Sequence, residues 1–218
     1  MPSESLGAEE LRLALRSIAA DVKARSEELR LLDAACGDGD LGITVDKGLT
    51  AIERKLDELE GEPPSRLLKS LGLTFNNAAA STFGVFFATA FMHAGKCIED
   101  RDQITVEDFT EMLKGAAEGI ATRGRAKVGD RTILDALAPA CQAAQGAVDR
   151  GESWLGVVSA AANAAEQGAR STCDLAPKVG RARWLGEQAK GIQDPGATFV
   201  QFFLKACRDA LSGTSEGR

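Results

Sequence analysis

Residues 105–124, TVEDFTEMLKGAAEGIATRG, indicate the fold class through the spacing of their apolar side chains. Val106, Phe109, Leu113, Ala116 and Ile120 recur at steps of three and four residues. Such steps place side chains on one face of an α-helix. This stretch therefore predicts an amphipathic helix that packs against a core by one face.

Segments of the same period cover most of the chain. Many of them are rich in alanine, which has the highest helix propensity and permits close packing between helices. Short connections favour antiparallel neighbours. We therefore predict an all-α fold, with eight antiparallel amphipathic helices in a barrel or bundle and almost no room for strands. The predicted helices cover residues 7–27, 40–59, 64–78, 81–97, 105–124, 131–148, 152–173 and 195–212.

The composition is typical of one soluble globular domain over residues 1–218, with 44% hydrophobic and 27% charged residues. We expect about residues 1–6 and 213–218 to be flexible. The net charge of −6, without a basic stripe, argues against partners such as nucleic acid or an anionic membrane. No targeting segment or apolar run near the roughly 18 residues that cross a bilayer occurs, so we expect a cytoplasmic protein.

The strongest local signal is DAACGDGDLG, residues 33–42, in which Asp33, Asp38 and Asp40 stand among three glycines. Glycine lets the backbone curl, so these carboxylates could share one small volume. At about 4 Å each pair would repel by roughly 4 kcal/mol at an effective dielectric near 20, and a cation must offset that cost. Carboxylate oxygens suit Mg²⁺ bridged to phosphate. The alternative is a solvated Asp-Gly turn in which Asp40 caps the next helix.

A second signal is NNAAASTFG, residues 76–84, where small residues begin a predicted helix. Unpaired N–H groups and the positive end of the helix dipole would suit a phosphate there. An ordinary Ser or Thr cap followed by tight packing explains the same residues.

Two later regions combine charge with glycine. Asp130 could begin the sixth helix, and Asp194 followed by Pro195 suits the start of the last one. Arg181 offers a planar fork for a phosphate, or only a surface ion pair. The stretches concerned are GDRT at 129–132, GRARWLG at 180–186 and QDPGAT at 193–198.

Taken in order, these motifs resemble the L subunit of dihydroxyacetone kinase. The pattern of that family is approximately DxxxxGDxDxG, GGASGPLxG, GDKTM and GRASYLGERSxGHQDPGA. The match spans residues 33–198, with the first motif complete, the third present as GDRTI and the last as GRARWLGEQAKGIQDPGA.

This resemblance implies an eight-helix barrel that holds ATP or ADP through two Mg²⁺ ions in the loops at one end. It assigns the metal ligands to Asp33, Asp38 and Asp40, which act in catalysis through the metal, and a catalytic phosphate contact to Arg181. The implied nucleotide contacts are Leu41, Gly42, Thr44, Ala79, Ala80, Ser81, Gly124, Ile133, Arg181, Asp194, Pro195 and Gly196.

The implied activity is phosphoryl transfer from Mg-ATP to a primary hydroxyl of a short-chain ketose, such as dihydroxyacetone or a related triose or tetrulose. A separate K-type subunit would hold the ketose and supply the activating His, since His93 is the only histidine here and is expected inside or at the rim of a helix pair. Two alternatives stay open. The subunit could retain ADP that a phosphotransferase-system protein rephosphorylates, or it could be a noncatalytic helical regulator or adaptor that binds nucleotide.

The chain departs from the family pattern at several positions, so the resemblance is to a divergent member. Leu41 stands where many members have His, and Ala79, Ala80 and Ser81 replace Ser-Gly-Pro. These departures leave the donor and the sugar open. The others are Arg131 for Lys, Trp184 for Tyr and Ile192 for His.

Overall fold

The computed structural model describes residues 5–216, except for the side chains of Arg181 and of residues 213–216. The prediction of an all-α fold is confirmed, with nine α-helices over the described range. They are α1 (Ala8–Lys23), α2 (Ser26–Cys36), α3 (Leu41–Glu58), α4 (Pro64–Ala78), α5 (Thr82–Cys97), α6 (Val106–Gly124), α7 (Leu134–Asp149), α8 (Trp154–Ser171) and α9 (Pro195–Glu216). Two 3₁₀ segments, η1 (Thr172–Asp174) and η2 (Arg181–Ala189), lie between α8 and α9.

Eight of these helices form a closed ring. From α3 to α9 each helix packs against the next, and α1 packs against both α3 and α9 to close the circle. The predicted barrel of eight antiparallel helices is therefore present. None of the helices over residues 5–216 is both long and apolar enough to cross a bilayer.

The ninth helix, α2, was not predicted. The first predicted helix, residues 7–27, ends in the structure at Lys23, and a new helix starts at Ser26 and continues to Cys36. It packs on α3 and α9. Asp33 therefore lies in the last turn of a helix and not in a loop, since the helix ends only at Gly37, whose backbone is not helical (φ −151°, ψ −142°).

Residues near both ends of the described range form secondary structure. Leu6–Gly7 (β1) pairs in antiparallel fashion with Gln103–Ile104 (β2), with Leu6 opposite Ile104. The expected flexibility of about residues 1–6 and 213–218 stays a prediction, and residues 1–4 and 217–218 lie outside the described residues. At the other end, α9 continues to Glu216, beyond the predicted end at residue 212.

The two halves of the ring are packed differently. Aromatic rings stack on one side, with centroid distances of 4.0 Å for Phe75 and Phe87 and 4.3 Å for Phe87 and Phe91. Fully buried alanines such as Ala140 and Ala161 dominate between α7 and α8 and allow these helices to pack closely. An apolar cavity of about 180 Å³ lies between the halves.

The alternation of helix direction puts all the predicted site motifs at one end of the ring. Helices α3, α5, α7 and α9 begin there, and α4, α6 and α8 end there. The start of α7 differs from the prediction, because α7 begins at Leu134 and Asp130 does not cap it. The Asp130 carboxylate instead accepts the N–H of Lys127 at 3.0 Å.

Candidate functional site

Asp33, Asp38 and Asp40 form an acidic cluster at this end of the ring. Each offers a carboxylate oxygen, and these oxygens lie within 4.8 Å of one another. Asp33 is half-buried on α2, while Asp38 and Asp40 are exposed in the connection to α3. The structure thus brings together the three carboxylates that the sequence singled out.

Glycines make this arrangement possible. Gly39 has φ +75°, a conformation that favours glycine. A Cβ at Gly37 would lie 2.3 Å from Oδ1 of Asp33, so any side chain there would displace the carboxylate. A Cβ at Gly42 would lie 2.1 Å from the carbonyl oxygen of Ser26. The start of α3 therefore packs directly on the start of α2.

The alternative interpretation, a simple helix cap by Asp40, does not describe this loop. Asp40 occupies the N-cap position of α3, but its side chain makes no capping hydrogen bond. The N–H of Leu41 donates instead to Oδ2 of Asp33 at 3.1 Å. The pKa of Asp40 is raised, first by burial and then by the charge of Asp33. A divalent cation would relieve that repulsion, and an all-carboxylate donor set fits a hard ion such as Mg²⁺.

The predicted nucleotide contacts on α3 are mostly inside the protein. Leu41 is 7% exposed and Thr44 is 8% exposed, and the Leu41 side chain belongs to the apolar core. Because its side chain lies in the core, Leu41 could contact a nucleotide only through its backbone. Its burial explains how an apolar side chain is accommodated where the family pattern has His.

At the start of α5, Ser81 is the N-cap, and its Oγ accepts the N–H of Gly84 at 3.0 Å. The predicted Ser cap is therefore present. Ala79 is buried at the end of α4, and Ala80 is exposed beside the cap. Of this group, Ala80 and Ser81 are the residues that a ligand can reach.

The remaining predicted contacts lie around the starts of α7 and α9. A Cβ at Gly196 would lie 2.8 Å from Cγ1 of Ile133, so these two residues touch. Gly124, at the end of α6, lies against the ring of Phe86. Pro195 is buried at the start of α9. The side chain of Arg181 lies outside the described residues.

Asp194 caps α9, as predicted. Its Oδ2 accepts the N–H of Ala197 at 2.8 Å, and its own N–H donates to Oγ1 of Thr172 at 2.8 Å. Burial raises the pKa of Asp194 to about 6, although the hydrogen bond from Ala197 and the charge of Arg131 oppose that rise.

Charged groups on three elements influence the thiol of Cys36, at the end of α2. Burial raises the pKa of its thiol; the charge of Arg131 lowers it, and the charges of Asp194 and Asp33 raise it further. The charges that shift the pKa of this buried thiol therefore come from Asp33 on α2, Arg131 before α7 and Asp194 before α9.

Sequence reasoning missed Asp135. Its carboxylate accepts the N–H of Gly129 at 2.6 Å and that of Thr132 at 2.7 Å, and so shapes the turn before α7. The sequence does carry a signal for this turn, because Thr132 followed three residues later by Asp135 has the spacing of a capping box.

His93 lies away from the site, as expected of a helix-rim side chain. It is exposed, and it packs against Gly119 of α6. Its position is eleven residues beyond Thr82, or about 16 Å along α5 at 1.5 Å per residue.

Comparison with known proteins gives consistent matches. The DAK2 domain family matches residues 35–209. The chain is 32% identical over 180 residues to the ADP-binding subunit DhaL of the PEP-dependent dihydroxyacetone kinase of Escherichia coli, covering 83% of this chain and 86% of that subunit. It is 30% identical over 213 residues to D-erythrulose kinase of Mycolicibacterium smegmatis, covering 97% of this chain but only 37% of that enzyme.

The fold has a matching counterpart among solved structures. The dihydroxyacetone kinase of C. freundii in complex with AMP-PNP and Mg²⁺ superimposes with a TM-score of 0.69 at 25% identity. The match covers 96% of this chain and 36% of that one. The chain thus corresponds to about a third of the longer kinases and to most of the bacterial subunit.

Proposed function

The chain belongs to the DAK2 domain family, and we propose that residues 1–218 work as one nucleotide-binding subunit of a dihydroxyacetone-type kinase. Its relatives are named as kinases or kinase subunits, which confirms the prediction of a kinase subunit. The observation that carries the proposal is the acidic cluster, which lies at the end of the ring where four helices begin.

The proposed reaction transfers the γ-phosphoryl group of Mg-ATP to a primary hydroxyl of a short-chain ketose. The bond between the γ-phosphorus and the β,γ-bridging oxygen breaks, a bond from phosphorus to the ketose oxygen forms, and the hydroxyl proton leaves to a base. Catalysis of this kind depends mainly on placement and on charge neutralisation. We place the reaction in the cytoplasm.

Asp33, Asp38 and Asp40 would hold two Mg²⁺ ions, and those ions would neutralise charge on the phosphates. The chain's own contribution is to fix these carboxylates. The N–H of Leu41 orients Asp33, and Gly42 brings α3 against α2. Because the protein has an excess of acidic residues, bridging cations are a reasonable requirement for binding a polyphosphate.

Other groups would hold the nucleotide. The N-terminal ends of α5 and α9 carry partial positive charge that suits phosphate. Arg181 would contact the phosphates, and this contact would strengthen as charge develops on the leaving oxygen. Ile133, which touches Gly196, would face the base or ribose. Gly42, Thr44, Ala79 and Gly124 would then act through backbone position, since they are buried or lack a side chain.

The ketose would be bound by a K-type partner subunit. The one histidine of the chain lies far from the cluster, so the group that activates the hydroxyl would come from that partner. A transient complex, with the acidic end of the ring facing the partner, follows from this division of labour.

A second donor scheme is favoured by the relatives named as PEP-dependent and ADP-binding. In that scheme the subunit retains ADP, which a phosphotransferase-system protein rephosphorylates. Purified protein incubated with labelled ATP distinguishes the two. Free exchange supports the ATP scheme, whereas ADP that copurifies and does not exchange supports the other.

Phosphorylation assays with a K-type subunit and a panel of three- and four-carbon ketoses test the function itself. We expect turnover that requires both subunits and Mg²⁺. Nucleotide binding without turnover across the whole panel would favour a noncatalytic regulator. Failure to bind any Mg-nucleotide would reject both interpretations.

A further inference from the structure

Arg131 is a charged side chain in the interior of the protein. It is 2% exposed and is the largest of the fully buried side chains in the described range. Its backbone also adopts the left-handed conformation, with φ 61°. Burying a guanidinium and placing a non-glycine residue at positive φ are both unfavourable. Such a combination persists where the surroundings fix it, often near a functional site.

The guanidinium joins its own loop to the segment that precedes α9. Nη2 donates to the carbonyl oxygen of Ile192 at 2.9 Å and to that of Ala189 at 3.3 Å. Ala189 is the last residue of η2, and Ile192 lies two residues before Asp194. Further bonds hold the same segment: the N–H of Gly191 donates to the carbonyl of Cys173 at 2.8 Å, and the N–H of Asp194 donates to Oγ1 of Thr172 at 2.8 Å.

Arg131 also supplies the positive charge in an acidic interior. The charged residues that are almost fully buried in the described range are Arg131 and three carboxylates, which we call the buried acids: Asp130, Asp135 and Asp194. Nε and Nη1 of Arg131 are buried and have no hydrogen-bond partner among the residues that the structure describes. The charge of Arg131 reaches Asp194 on one side and Cys36, at the end of α2, on the other.

We propose that Arg131 is a positioning residue for the nucleotide site. Its guanidinium fixes the segment 189–194 to the loop before α7, and so sets the position of the first turn of α9 relative to that loop and to the acidic cluster. The role of Arg131 in nucleotide binding rests on the proposed function. The anchoring of the segment 189–194 is a property of the free protein.

The choice of variants follows from the geometry. Arg131→Met removes both the charge and the donors, while Arg131→Lys keeps the charge and can still donate to one of the two carbonyls. Leu56→Ala is the matched control, because Leu56 is fully buried in the last turn of α3, at the far end of the ring. It destabilises the core without touching the site.

The first measurement is hydrogen exchange of the amides 189–193 in nucleotide-free protein. We expect Arg131→Met to raise the exchange rates of these amides at least about 10-fold and Arg131→Lys to restore most of the protection. In Leu56→Ala these amides should keep their wild-type exchange rate relative to the other loops.

The second measurement is calorimetric titration with Mg-ATP, or with Mg-ADP if ADP is retained. The Met variant should bind about 10- to 100-fold more weakly, in the range found for groups that orient ligands.

Unchanged exchange and affinity in Arg131→Met would overturn the proposal. So would equal losses in Leu56→Ala, because the role of Arg131 would then be only to stabilise the fold. If Arg131→Met does not fold, Arg131→Ala, which also lacks the charge and the donors, replaces it with the same expectations. If wild-type protein binds no nucleotide, the proposed function fails, and the exchange experiment still decides whether Arg131 anchors the segment.

Discussion

The acidic cluster and the buried acids lie at the same end of the ring but are stabilised in opposite ways. The acidic cluster is half-buried to exposed, and its members repel one another. The buried acids accept backbone N–H groups, and the charge of the buried Arg131 also acts on Asp194. One group of carboxylates is completed by the protein itself, whereas the other is suited to a cation from solution. We propose that the acidic cluster serves binding, whereas the buried acids hold the loops in place.

The sharpest test of this contrast is Asp38→Ala. We expect it to weaken Mg²⁺-dependent nucleotide binding by at least about 100-fold, near 3 kcal/mol, because a metal ligand is lost. Stability without metal should hardly change, since Asp38 is exposed. Titration calorimetry measures the first effect and thermal unfolding the second. Asp46→Ala, at an exposed position of α3, is the control, and wild-type affinity in Asp38→Ala would remove Asp38 from the site.

Asp135→Ala should have the reverse effect: a large loss of stability without metal and a smaller loss of nucleotide binding. It leaves the N–H groups of Gly129 and Thr132 without their acceptor, and losing buried hydrogen bonds of this kind costs about 2–3 kcal/mol. Chemical denaturation of the metal-free protein measures the loss. Asp149→Ala, at an exposed position near the end of α7, should change stability by less than about 0.5 kcal/mol. Equal effects of the two substitutions would contradict the assignment of Asp135 as a structural carboxylate.

Asp194→Asn should alter the pH dependence of stability. The pKa of Asp194 is raised to about 6 in the folded protein from an ordinary value of 3.8, so folding favours its protonated form. The contribution of Asp194 to stability is therefore fully present below about pH 4. It is lost as the pH rises through about 6, which lowers the free energy of unfolding by about 2–3 kcal/mol. Asn still accepts the N–H of Ala197 but does not ionise. The difference in unfolding free energy between wild type and variant should change by that amount from pH 4 to pH 7; a constant difference would contradict the raised pKa.

Asp40→Asn should have a small effect on stability, opposite in sign to that of Asp135→Ala. Removing a charge that is disfavoured beside Asp33 should stabilise the metal-free protein by a few tenths of a kcal/mol, because the exposed site is screened by water. Mg²⁺ affinity should fall at the same time. Thermal unfolding with and without Mg²⁺ measures both, and a variant that loses stability in metal-free buffer would count against repulsion within the acidic cluster.

The sequence was most informative where the chemistry is local. The period of residues 105–124 predicted a helix that the structure places at Val106–Gly124, and the Asp-Gly motif predicted a cluster that does form. Asp194 and Pro195 marked the start of α9 because capping involves residues only a few positions apart. These features depend on neighbours in the chain.

Burial at the site could not be predicted, because it depends on distant contacts. Arg131 reaches the carbonyls of Ala189 and Ile192, which are 58 and 61 residues away in the sequence. The burial of Leu41 likewise depends on how α3 enters the ring. The short helix α2 was missed for a related reason, since its polar surface and its terminal Asp33 resemble a loop until it packs on α3 and α9.

The cavity between the aromatic and alanine-rich halves has a mechanical consequence. Water fills such a void when the chain unfolds, so the unfolded protein occupies less volume than the folded one. Hydrostatic pressure should therefore denature this barrel more readily than a solidly packed helical bundle of equal thermal stability.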